Sequence, residues 1–192
     1  MKTRKTTMLC LLMAILLLAL PVFAEGEAIS GVYFEDPSTG VAYAIPEGWT
    51  EIDRDDSDPG ALMVVYSLDA DPEIEMMIGI MDVYSQIPDE MKAMMDRSMV
   101  EQMFMASGGL AQVVGAATGE DEVKEIRIGE RDYLLVDAPE DRGGMLAGIT
   151  DAIVIMSGLK GATEGTPAYE DWMRTIESIL YPEFETAADA AA

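Results

Sequence analysis

The chain has 192 residues, with 36 acidic against 12 basic, no histidine and one cysteine, for a formal net charge of −24 at pH 7. A field of that sign disfavours nucleic acid, whose phosphates need clustered Lys and Arg, and favours cations or basic peptides. With no histidine, a Ser-His-Asp triad, a Cys-His pair and the usual histidine-bearing zinc sites are excluded.

In chain order, residues 1–24 read as an export signal. Lys2, Arg4 and Lys5 form a positive start, 8–20 an unbroken apolar run, and Val22, Phe23 and Ala24 a small-residue pattern that predicts cleavage after Ala24. The run is well short of the ~20 residues a spanning helix needs, so no membrane span is expected after cleavage. Cleavage removes Cys10 and three basic residues, leaving a starker acid that no disulfide can staple. The expected organisation is a signal at 1–24, one globular domain over 25–182 and a flexible acidic tail at 183–192.

Val41, Tyr43 and Ile45 alternate with small residues and predict a strand ended by Pro46, Glu47 and Gly48 before Trp49. A second strand is predicted over 61–68, apolar almost throughout and therefore expected to be covered on both faces. A turn over 69–73 leads to a third strand with Ile74, Met76, Ile78 and Ile80 on its apolar face. Pro88 and Asp89 change the period, and a single helix is predicted from Asp89 to about Ala106, stopped by Gly108 and Gly109. Segments 123–128 and 132–136 flank Gly129 and Glu130, a pair suited to a type II′ hairpin. Residues 152–159 predict a further strand that is apolar on both faces.

Thr166 as cap and Pro167 as first residue open the last helix, with Tyr169, Trp172, Met173, Ile176, Ile179 and Leu180 on one face and Pro182 as its end. Strands, helix, strands, helix, joined by hairpins, predict an α+β domain with helices on both faces of a mostly antiparallel sheet.

Two segments carry a family resemblance. Tyr33, Phe34, Glu35, Asp36 and Pro37, then Gly40, the strand from Val41, Pro46, Gly48 and Trp49, form the first; Trp172, Met173, Arg174, Thr175, Ile176, Glu177, Ser178 and Ile179 form the second. Together with the element order they resemble PsbP-like proteins. The resemblance implies an α/β/α sandwich around an antiparallel sheet and no catalysis by virtue of the fold, which is a weak guide to function in any case.

Among possible chemistries, calcium comes first, because Asp53, Asp55, Asp56 and Asp58 cluster before Pro59 and Gly60 and hard cations take carboxylate oxygens. The spacing lacks the EF-hand glycine, and a solvated acidic loop explains the same residues. Copper(I) is second, since Met91, Met94, Met95, Met99, Met103 and Met105 offer soft thioethers on the predicted helix, with Met91, Met95 and Met99 on one face; adaptable core filler is the competing reading. A Ser-Lys pair would need Lys92, Lys124 or Lys160, none in a nucleophile motif. A carboxylate-dependent hydrolase is the remaining catalytic reading, since accidental acid pairs are certain in so acidic a chain.

The glycines of 115–119 and 158–165 match neither dinucleotide nor P-loop spacing and read as loops or strand ends, so no cofactor is expected. Trp49 and Trp172 read as core. The expectation is an exported, non-catalytic binding or accessory module at or outside the cell surface, engaging a protein or small ligand, with a metal-binding module as the alternative.

Overall fold

A computed structural model describes residues 30–118, 123–137 and 144–182. The export signal with its cleavage after Ala24, and the tail at 183–192, lie outside the described residues. A hairpin of β1 (Gly31–Glu35) and β2 (Ala42–Pro46) stands apart from a seven-stranded sheet. That sheet is made of β3 (Trp49–Asp55), β4 (Ala61–Leu68), β5 (Asp71–Asp82), β6 (Lys124–Ile128), β7 (Arg131–Asp137), β8 (Gly144–Thr150) and β9 (Ile153–Lys160). Its order is β3-β4-β5-β9-β8-β7-β6, with every pairing antiparallel. Between β5 and β6 run α1 (Val83–Gln86), α2 (Asp89–Lys92), α3 (Arg97–Ala106) and α4 (Gly109–Thr118); α5 (Pro167–Glu177) follows β9. With α5 on one face and α4 on the other, the domain is the expected α/β/α sandwich.

The larger core lies under α5 and the β1–β2 hairpin. Trp172 and Ile176 of α5 pack with Ile78, Ile80, Leu146 and Ile155 of the sheet, while Val41, Tyr43 and Ile45 of β2 join from the hairpin. The predicted cap is real: the Thr166 hydroxyl accepts from the Tyr169 N–H, with Pro167 in the first turn. The helix ends earlier than its apolar pattern, at Glu177. Ser178 donates to the Thr175 carbonyl and accepts from the Ala44 N–H, and Leu180 then bridges Ala42 as extended chain. Ile179 stays buried, but Leu180 is exposed.

Both tryptophans are buried and each indole has a partner. Trp172 donates to the Ser157 hydroxyl at 2.8 Å, which donates on to the Met77 carbonyl at 2.7 Å, and Trp49 donates to Asp171 at 3.1 Å. A buried donor left unmade costs more than the bond itself contributes, so these pairs tie α5 to β9 and to β3.

The first resembling segment is turn chemistry. Asp36, nearly fully buried, accepts from the N–H and hydroxyl of both Ser38 and Thr39, and Gly40 takes a φ of +73° that returns the chain into β2.

Three sequence expectations need correction. The single helix from Asp89 to Ala106 is two helices, because Asp96 accepts from the Met99 N–H and starts a new one at Arg97. Gly108, at φ +72°, does end α3, but Gly109 opens α4 at once, so Gly115 and its neighbours up to Thr118 are helix and not loop. Strands β1, β3 and β8 went unpredicted, and β4, expected to be covered on both faces, leaves Met63 40% exposed. The Gly129 turn agrees with its prediction: Gly129 has φ +60° and directly joins the paired β6 and β7.

Candidate binding face

On the face opposite α5, a smaller core gathers Leu110 and Val114 of α4 with Val136, Ala147 and Val154 of the sheet. This cover reaches β7, β8 and β9. On β5 it takes in Met81 at one end, and Met156 of β9 packs against it as well, while Met63, Val65 and Met77 belong to neither core.

Register explains what is laid bare. Cross-strand partners run Asp55, Met63, Gly79, Met156, Ala147 in one row and Asp53, Val65, Met77, Gly158, Met145 in the next. Side chains alternate faces along a strand, so both rows point to the α4 side. Each row begins with an aspartate on edge strand β3 and crosses the exposed Met63 or the half-buried Met77, and the first row continues through Met156 to Ala147 in the core under α4. Gly79 and Gly158 have no side chain to fill the middle: a Cβ at Gly79 would meet the Met156 methyl at 3.5 Å and one at Gly158 the Met77 methyl at 3.8 Å. The result is a groove of about 190 Å³ floored by glycine, walled by Met63, Met77 and Met156, and bordered by Asp55 and Asp58. Thioether side chains are unbranched and reshape to fit what they touch.

The acidic border carries the residues first considered for calcium. Asp53 and Asp55 are in strand β3 and not in a loop, while Asp56 and Asp58 follow it in the turn; all four are exposed. Asp53 accepts from the Arg54 N–H, and Asp55 from the Ser57 hydroxyl and N–H, which together hold the Asp55 carboxyl below its usual range. Among the described residues, no group of three or more His, Cys, Asp or Glu is placed to hold a metal ion. None of these aspartates is in a salt bridge there either. Arg54, the nearest cation in sequence, pairs with Glu51 at 2.6 Å and stacks on Phe34. At the far end of the groove's face, Lys160 pairs with Glu75 at 3.1 Å.

The helical methionines fall differently from the pattern expected for copper(I). Met91 lies in α2 and Met99 in α3, with Met95 in the break between them, so the three share no helix face. Met94, Met99, Met103 and Met105 are exposed. The candidate lysines are likewise committed elsewhere: Lys92 donates to the Ser85 carbonyl and to Asp89, while the Ser85 hydroxyl donates to the Asp82 carbonyl. Lys124 is in β6.

A polar anchor secures the α1–α3 run at one end of the sheet. Asp82 closes β5, caps α1 through the Ser85 N–H, and forms a two-pronged pair with Arg97 at 2.7 and 3.0 Å. Arg97 also donates to the Asp151 carbonyl and lies over the Tyr84 ring. Asp151 and Ala152 turn from β8 to β9 with φ of 52° and 60°, a left-handed pair that sequence patterning did not flag.

The sandwich thus defines a domain class, and comparison with known proteins gives it context. No protein-family model matches the chain, and no curated protein matches it. The solution structure of cyanobacterial PsbP from Synechocystis is similar, at TM-score 0.46 and 16% identity over 84% of this chain and 99% of that one. A crystal structure from Bacteroides thetaiotaomicron is similar at TM-score 0.45 and 11% identity over 81% of this chain; the chain spans about half of that structure.

Proposed function

We propose that this chain is an exported, non-catalytic binding module that engages a protein partner outside the membrane through the open half of its sheet. The observation that carries the reading is the groove itself: a methionine-walled surface around Met63 and Met77 that neither core takes in, beside a strip of the same face packed under α4. Contiguous exposed apolar surface is costly in water and marks interaction sites in soluble domains. The leader supports an extracytoplasmic setting, and the absence of histidine supports a binding role over the common hydrolytic ones.

The test is photo-crosslinking from position 63, with position 164 in an exposed loop as control, in the cells that make the protein. An adduct formed from 63, absent from 164 and lost on Met77→Gln, is expected; equal labelling from both positions overturns the reading. The released protein should begin at Glu25, and an intact Met1 would remove the export part of the proposal.

A further inference from the structure

The geometry points to the occupant of the groove: a cationic amphipathic helix from a partner protein, its apolar stripe on the methionines and its Lys or Arg edge on the β3 aspartates. This rests on the binding-face reading above and adds the chemistry of the partner. Width argues for a helix. Strands lie about 4.8 Å apart, so the span from edge strand β3 across β4 to β5 is roughly 10 Å, the diameter of one helix lying beside α4. The neighbouring strip of the same face is filled by a helix, α4, through Leu110 and Val114.

Charge selects among helices. Along β3 and the turn after it the border is Asp53, Asp55 and Asp58, exposed and outside any salt bridge among the described residues, and Lys160 on this face is already paired with Glu75. A second copy of the chain carries the same −24, and the tail brings Glu183, Glu185 and Asp189, so both are repelled from that border. A basic partner is attracted instead, and the methionines accommodate its apolar residues without demanding one shape.

Three synthetic helices of about 18 residues, roughly 27 Å long, separate the terms: leucine with lysine, leucine with glutamine, and leucine with glutamate. Binding to the protein is read by fluorescence anisotropy. At low salt the lysine peptide should bind about tenfold more tightly than the glutamine peptide, a gap that closes as salt screens the exposed carboxylates. The glutamate peptide should bind least.

Replacing Met63 and Met77 together by Gln should weaken the lysine and glutamine peptides alike, with an unchanged unfolding midpoint showing that the fold is intact. Asp53→Asn, Asp55→Asn and Asp58→Asn combined should bring the lysine peptide down to the glutamine peptide's affinity. If lysine and glutamine peptides bind equally and both respond to the Gln pair, the cationic inference falls while the binding face stands. If the lysine peptide ignores the Gln pair, or no peptide binds, the groove is not its site and both readings fall.

Discussion

The two faces of this sheet share strands and differ in what covers them. On one, α5 and the β1–β2 hairpin together reach across from β6 to β3, and Trp172, Ile176, Tyr43 and Ile45 are buried against the sheet. On the other, Leu110 and Val114 of α4, with Phe104 of α3 and Val83 of α1 packed alongside, cover the β7 side and leave Met63 towards β3 exposed. The strands meet this difference residue by residue. On β5, Met76, Ile78 and Ile80 face the first side and are buried, while Met77 and Met81 face the second and are half-exposed. A closed face stabilises the fold, and an open one is available to bind.

Substitutions that respect this contrast should separate by size. Trp172→Ala, which opens a cavity under α5 and removes the donor to the Ser157 hydroxyl, should cost about 3–5 kcal/mol in urea denaturation. Asp82→Ala should follow at about 3 kcal/mol, since it leaves Arg97 without its carboxylate and α1 without its cap. A much smaller loss would mean that the helical run is not pinned through that pair.

The closed face should also set the alkaline limit. Burial, then the Tyr66 hydroxyl at 3.0 Å, pushes the Tyr43 phenol far above its ordinary 10.0, and burial raises Tyr66 as well. Both rings keep their protons in the folded state after the unfolded chain would lose them. Their contribution is therefore complete below about pH 10 and is lost as the pH climbs from there towards the folded values. The unfolding midpoint should hold up to about pH 10 and fall beyond it, and Tyr43→Phe should make the alkaline fall shallower even if it lowers the midpoint at neutral pH.

On the open face, Met63→Ala should change stability by no more than about 0.5 kcal/mol. A loss near that of Trp172→Ala would make the groove part of the core and erase the contrast. Smallest of all, millimolar calcium should move the unfolding midpoint by less than about 1 °C, because the β3 aspartates are spread along a strand and a turn. A rise of several degrees would recast the acidic border as a cation site.

Much of the fold was legible because local chemistry and burial coincide there. The Thr166 and Pro167 start of α5, the Gly129 hairpin and the buried alternation of β5 are each decided within a few residues, and the α/β/α layering follows from them. Strand β3 was not legible: its Asp53 and Asp55 read, with Asp56 and Asp58, as a solvated acidic loop, because an exposed edge strand tolerates charge. The helix break at Asp96 was hidden because Met91, Met95 and Met99 keep the helical period across it.

The candidate site was half visible in the same way. Its residues were noticed, the aspartates as a calcium cluster and Met63 and Val65 as core, but their relation was not. By itself the sequence determined the sign of the field, the lack of histidine chemistry and the periodicities that make strands and helices, since composition and local spacing are properties of the chain alone. Only the tertiary structure decided that Asp55, Met63, Gly79 and Met156 lie in one row and that the core under α4 takes in Met156 but not Met63. Pairing register and helix placement depend on contacts between residues far apart in sequence, and no local pattern carries that information.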